Sequence, residues 1–362
     1  PRLDIAHSQF FALPLSGLTE QSTTELFKNK SAGYSLSSIE KANLMRLTEG
    51  HPLYVSMLAA QRLSRNKDLS QILSEVEASR SDAPAKILRS TYQLLTVEQM
   101  EILRTLAELE RPEDESALEE VTGKRYNKLV KAIKRLRDLS LIIERQDFSG
   151  KTLIDLHPLV RQFLRKEYPK KDRETFIGRI ILYFDRQISL VVREKNAPIP
   201  RNVLDVWIHK IEVLCNHHNW PDAIQEVMKI EYELARSGLT EEVARIGLRI
   251  FQGVNWLEAI EQTKEFRRFI SEVCQSLSYT GDHSSVEKWL KHYSDSVGSR
   301  AADKQNIFET HAFDAWLRHD YATAIQFAQS AGRRQAVRAR CPNGRALVRA
   351  AGPVAATGAP AG

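Results

Sequence analysis

At 362 residues, with 42% apolar and 27% charged content, the chain is long enough for about two to four domains that each bury a core. No stretch reaches the roughly 20 apolar residues of a membrane-spanning helix. The opening residues lack the zones of a signal peptide, and three scattered cysteines (Cys215, Cys274, Cys341) exclude a disulfide framework. A soluble, cytoplasmic protein is expected, and a start at Pro1-Arg2-Leu3 rather than at methionine suggests further sequence upstream. The net charge of +6 is local: residues 332–362 hold six arginines and no acid, while the rest of the chain balances 46 basic against 46 acidic residues. That Arg/Ala/Gly/Pro tail reads as disordered or artefactual, the alternative being a basic arm for an acidic partner.

In chain order, Leu13 to Leu63 predicts short helices. Thr19 or Ser22 caps one carrying Leu26 and Phe27; Ser37 or Ser38 caps another through Ala42, Leu44, Met45 and Leu47. Gly50-His51-Pro52 stops it with a left-handed turn, and the proline restarts a helix carrying Leu53, Val55, Met57, Leu58 and Leu63. Ser79 to Ala83 is a polar break. Ile87, Leu88, Tyr92, Leu94 and Leu95 lead into a helix with Val97, Met100, Leu103 and Leu106. A short helix near Ser116–Val121 precedes one over Lys124–Asp138, whose stripe is Tyr126, Leu129, Val130, Ile133 and Leu136. Two β-rich runs, Leu141-Ile142-Ile143 and Leu153–Leu156, are joined around Ser149-Gly150. Three helices followed by a hairpin is the order of a winged helix-turn-helix.

From Arg173 the pattern is almost wholly helical. Helices open at Asn219-Trp220-Pro221, Gly238-Leu239-Thr240, Gly281-Asp282-His283 and His319-Asp320-Tyr321. This recurrence of turn and helix predicts stacked helical pairs, because a single pair cannot bury its apolar face. The fold class is therefore mostly α: a small helical domain over 1–78, a winged helix over 79–168, a tetratricopeptide-like array over 169–331, and the tail 332–362.

Three sets of residues invite a chemical reading. Gly150-Lys151-Thr152 imitates the end of a phosphate-binding loop, but Arg145 stands where the first glycine is required and a strand, not a helix, is expected next, so a hairpin turn is preferred. The helix from Lys124 carries Lys124, Arg125, Lys128 and Lys131, with Lys134, Arg135 and Arg137, opposite its apolar stripe. They could meet DNA phosphates and base edges, or form a solvated face balanced by Glu113, Asp114, Glu115, Glu119 and Glu120. Cys215, His217, His218 and His209 lack a second Cys/His pair at zinc-site spacing, so a structural role is preferred.

Three passages together resemble the STAND class of signalling ATPases, the NB-ARC group: Leu15–Phe27 with Glu49-Gly50-His51-Pro52-Leu53, Ile87–Ala107, and Leu156-His157-Pro158 through Leu164. The first is similar to that family's small helical (ARC1) domain and Gly-x-Pro motif, the second to the entry of its winged helix. The third stands where the family carries Met-His-Asp, here kept only at the histidine. The resemblance covers about residues 3–168 and implies that Pro52 packs near the adenine and His157 approaches the β-phosphate of ADP. The Walker A and B half is missing, so ADP or ATP is expected only in an intact parent, with no stable binding to this chain and no hydrolysis by it. The structural alternatives are a helix-start role for Pro52 and a capping role for His157. The expected function is a regulatory part of a nucleotide-dependent switch whose array receives a ligand or protein partners. The rivals are a winged-helix transcription regulator with a repeat sensor and a purely structural scaffold.

Overall fold

The computed structural model describes residues 16–65, 67–77, 82–109, 111–147, 150–192, 198–297 and 301–331. The first fifteen residues, most of the expected polar break, Ser149 and the tail from 332 with Cys341 lie outside the described residues. Chain contacts divide the molecule into two units, 1–183 and 184–362. The described residues are mostly helical with one small two-stranded sheet.

The first unit opens with helices α1 (Glu20–Lys30), α2 (Ser38–Thr48), α3 (Pro52–Arg65), α4 (Leu69–Glu77) and α5 (Ala83–Tyr92). Local chemistry accounts for their starts. The Thr19 hydroxyl accepts from Ser22 N–H, and Ser37 and Glu40 form a reciprocal capping box. Between α2 and α3, Glu49 and Gly50 both take left-handed backbone, and Leu18 N–H donates to Gly50 C=O at 2.9 Å. A Cβ on Gly50 would lie 2.3 Å from the Leu18 carbonyl oxygen, so only glycine fits. Phe27, Leu44, Val55, Met57 and Leu58 form the core of this block.

Helix α4 is an addition to the expected elements. Leu69, Ile72, Leu73 and Val76 recur at i, i+3, i+4 and i+7 and are all buried. Its nine residues are too few to stand out by periodicity among polar neighbours. Buried Gln61 donates to Ile87 C=O and Thr91 Oγ1, satisfying both α5 acceptors that face it.

Next come α6 (Val97–Glu108), α7 (Glu115–Thr122), α8 (Tyr126–Asp138), strands β1 (Ile142–Gln146) and β2 (Thr152–Leu156), α9 (Pro158–Glu167) and α10 (Lys170–Val191). The strands pair antiparallel from Ile142↔Leu156 to Gln146↔Thr152, and Glu113 adds an isolated bridge to Ile154. Gly150, at φ +80°, turns the hairpin and donates to Asp147 C=O at 3.0 Å. Two stripe residues proved peripheral: Val97 is 78% and Tyr126 50% exposed. Each occupies the first turn of its helix, and the Tyr126 hydroxyl bonds Glu115 of α7 at the surface instead of entering the core. Leu63 is likewise exposed, in the last turn of α3.

In the second unit, α11 (Arg201–Asn216), α12 (Trp220–Arg236), α13 (Thr240–Gly253), α14 (Trp256–Gln262), α15 (Phe266–Tyr279), α16 (His283–Val297), α17 (Ala301–Leu317) and α18 (Tyr321–Ser330) follow one another. Helix α11 packs on α12 and α13, α13 on α15, α15 on α16 and α17, and α17 on α18. Left-handed residues His218, Gly238, Gly281 and His319 turn four of the connections. Gly247 lets α13 approach α15 so closely that a Cβ there would stand 2.4 Å from the Val273 methyls. Among the described residues, no helix is long and apolar enough to cross a membrane.

Candidate functional site

Two His-Pro-Leu sequences, far apart in the chain, converge in the first unit. His51 and His157 precede the first residues of α3 and α9, and each presents Nδ1 to the backbone N–H two residues on, Leu53 and Leu159, at 3.3 Å. Pro52 and Pro158 occupy the first helical positions, where a missing N–H leaves no helix bond unmade. The imidazoles meet edge to face, 6.3 Å between centroids. His51 also packs on the Tyr54 ring at 4.8 Å.

An Nδ1 that accepts a hydrogen bond carries no proton, so in each neutral ring the proton sits on Nε2. The cap therefore selects the tautomer whose outer nitrogen is a donor. His157 is half-buried, and its pKa is held below 6.5 by desolvation and then by the charge of His51. Both helix N-termini carry partial positive charge. The junction thus combines two helix ends with two imidazoles whose neutral tautomer keeps one N–H donor, an arrangement suited to an anion. Pro52 itself is exposed at the rim.

Arg161 holds α9 in place, a role that sequence reasoning missed. Its Nη1 donates to the carbonyls of Leu106 (2.8 Å), Ala107 (3.3 Å) and Leu109, and Nη2 pairs with Asp155 at 2.6 Å. One guanidinium thereby satisfies the C-terminal carbonyls of α6 and ties α9 to β2. Arg165 adds a bond to Ala107 C=O. On the opposite side Arg89 of α5 grips Glu167 of α9 through both carboxylate oxygens.

The basic face of α8 is partly neutralised, but not by the expected acids. Lys124 pairs with Glu101, Lys128 with Glu98 at 3.0 Å and Arg137 with Glu144. Asp114 instead caps α7 and pairs with Lys151, Glu113 holds Arg111, and Glu115 and Glu119 bond Tyr126. The packing of α8 on α6 decides this, because it brings the α6 carboxylates closer to the lysines. Arg125 is the N-cap residue of α8 without a side-chain bond to the helix end, and Lys131 is exposed.

Gly150-Lys151-Thr152 forms the end of the hairpin turn and the start of β2. The Lys151–Asp114 pair raises the lysine pKa. In the second unit, Cys215 is buried and its thiol is pushed up to about 12 by desolvation, which keeps it protonated and unreactive. His209 Nδ1 lies 3.1 Å from Glu212, and His217 is buried. Among the described residues no group of three His, Cys, Asp or Glu is placed to hold a metal ion.

No family model matches the chain. No curated protein matches it either. Among solved structures it is similar to a signal transduction ATPase with numerous domains (STAND) protein with a tetratricopeptide repeat sensor from Pyrococcus horikoshii, at 15% identity over 88% of this chain and with a TM-score of 0.35. The chain spans 47% of that protein's length.

Proposed function

We propose that this chain is the regulatory part of a STAND-type nucleotide-dependent switch, with α11–α18 as a tetratricopeptide-like array that receives a ligand or protein partner in the cytoplasm. The observation that carries the reading is the junction at which His51, Pro52 and His157 meet. In a parent that also holds a phosphate-binding loop, His157 would donate to the β-phosphate of ADP through Nε2–H and Pro52 would border the adenine. Segment α6–α8 with its hairpin is then a winged helix that ADP holds closed. The chain alone supplies no phosphate loop and hydrolyses no ATP. A DNA-binding role for α8 is the rival, and salt-dependent duplex binding would favour it.

The cap role of His157 and the proposed phosphate contact are compatible, since they use different nitrogens of one tautomer. Variants separate them. In the parent protein, His157→Asn keeps a side chain that caps well but is too short to place its amide donor where the imidazole Nε2–H stands, whereas His157→Ala removes both roles. A bond to a charged acceptor contributes about 1.5–3 kcal/mol, so both variants are expected to lose ADP affinity by roughly ten- to hundred-fold. Only His157→Ala is expected to lower the melting temperature. Unchanged ADP affinity in His157→Asn would overturn the reading and leave the cap alone.

A further inference from the structure

We propose that His51 and His157 form a proton-operated latch: the neutral pair caps α3 and α9 and holds their N-termini together, and protonation of either ring uncaps its helix and parts them. The inference adds a mode of regulation to the nucleotide-switch reading, yet its geometry needs no nucleotide.

Each Nδ1 is an acceptor for a backbone N–H, Leu53 on one side and Leu159 on the other. A proton on Nδ1 turns the acceptor into a donor facing another donor, so the bond is lost and replaced by repulsion. The new positive charge also stands at a helix N-terminus, the end where the macrodipole disfavours cations. Protonating one ring then places that charge beside the other ring, 6.3 Å away.

Burial and His51 are the influences on His157, and no carboxylate is among them. The charge acting on His157 is that of His51, which works in the same direction as burial. From α3, Tyr54 packs on His51, and its pKa is raised by burial and by Asp82 at the start of α5, so it stays neutral. From β2, Asp155 is held by Arg161 at 2.6 Å, with Arg145 at 3.9 Å on its other oxygen. Arg161 of α9 is turned towards that aspartate and the α6 carbonyls. The pair thus forms a site where two protonations each remove a cap and repel one another, at the contact between the α1–α5 block and α9.

The test is local hydrogen exchange of the full chain without nucleotide, read at Leu53–Val55 and Leu159–Arg161 and corrected for intrinsic exchange, between about pH 7.5 and about pH 5. Wild-type protection at the start of α9 is expected to fall by up to about ten-fold per pH unit between the ordinary imidazole value of 6.5 and the lowered pKa of His157, and to level off below it. The double variant His51→Asn/His157→Asn retains caps that do not titrate in this range and is expected to hold its protection. A flat wild-type profile would overturn the latch, as would the same acid loss in the double variant. Neither result bears on ADP affinity, which is read separately with His157→Asn, so failure of the latch and failure of the nucleotide reading remain distinguishable.

Discussion

Replacing Arg161 by methionine retains much of the aliphatic stem while removing the guanidinium that closes the C-terminus of α6. The Ala107 carbonyl keeps Arg165 as a donor at 2.9 Å, so its loss is partly covered. The carbonyls of Leu106 and Leu109 lose a charged donor, and both residues are at most 1% exposed. Asp155 loses its 2.6 Å partner and keeps Arg145 only at 3.9 Å. A buried acceptor left unsatisfied costs about 1–3 kcal/mol. Two such acceptors, relieved in part by water, give a destabilisation of about 3 kcal/mol. In a unit of this size that corresponds to a fall of roughly 6–12 °C in melting temperature. Arg165→Met should cost about 1 kcal/mol, because Arg161 still serves Ala107 and Arg173 still serves Glu108. Differential scanning calorimetry of the two variants gives the comparison. Equal melting shifts, or none for Arg161→Met, would refute the assignment of Arg161 as the residue that positions α9.

Three further outcomes are expected. Glu226 accepts from Trp207, Lys229 and buried Lys210, so Glu226→Gln should destabilise the second unit by about 2 kcal/mol in urea titration, less than a fully broken buried pair because Lys210 keeps Asp185. Gly247→Ala should cost about 1–3 kcal/mol through collision with the Val273 methyls, and Val273→Ala in the same chain should recover most of it, which a double-mutant cycle measures. His311 is stacked on Phe327 of α18 at 4.8 Å, and burial holds its pKa below 6.5 against the opposing pull of Asp314 and Glu287. Its stabilising effect is therefore fully present above 6.5 and is lost as pH falls through the depressed value. Protection of α18 should decline on acidification in the wild type and not in His311→Phe.

What the sequence by itself determined is what depends on neighbours within one or two helical turns. Thr19 and Ser37 cap the helices that follow them, Pro52 and Pro158 start helices, and Gly150 turns a hairpin between two β-rich runs. Such contacts form within a few residues, so residue type and spacing suffice to foresee them. Short α4 escaped because its pattern is brief, and the exposure of Val97 and Tyr126 escaped because periodicity marks a face without saying how far the packing extends. Tertiary structure alone decided that His51 meets His157, that Lys124 and Lys128 pair with α6 rather than with the nearer acids of the sequence, and that Arg161 closes a helix end 52 to 55 residues upstream. The reason is that these pairings are set by the rigid docking of whole helices, whose buried faces fix the position of every polar group they carry, and no local spacing encodes which distant surface will be opposite.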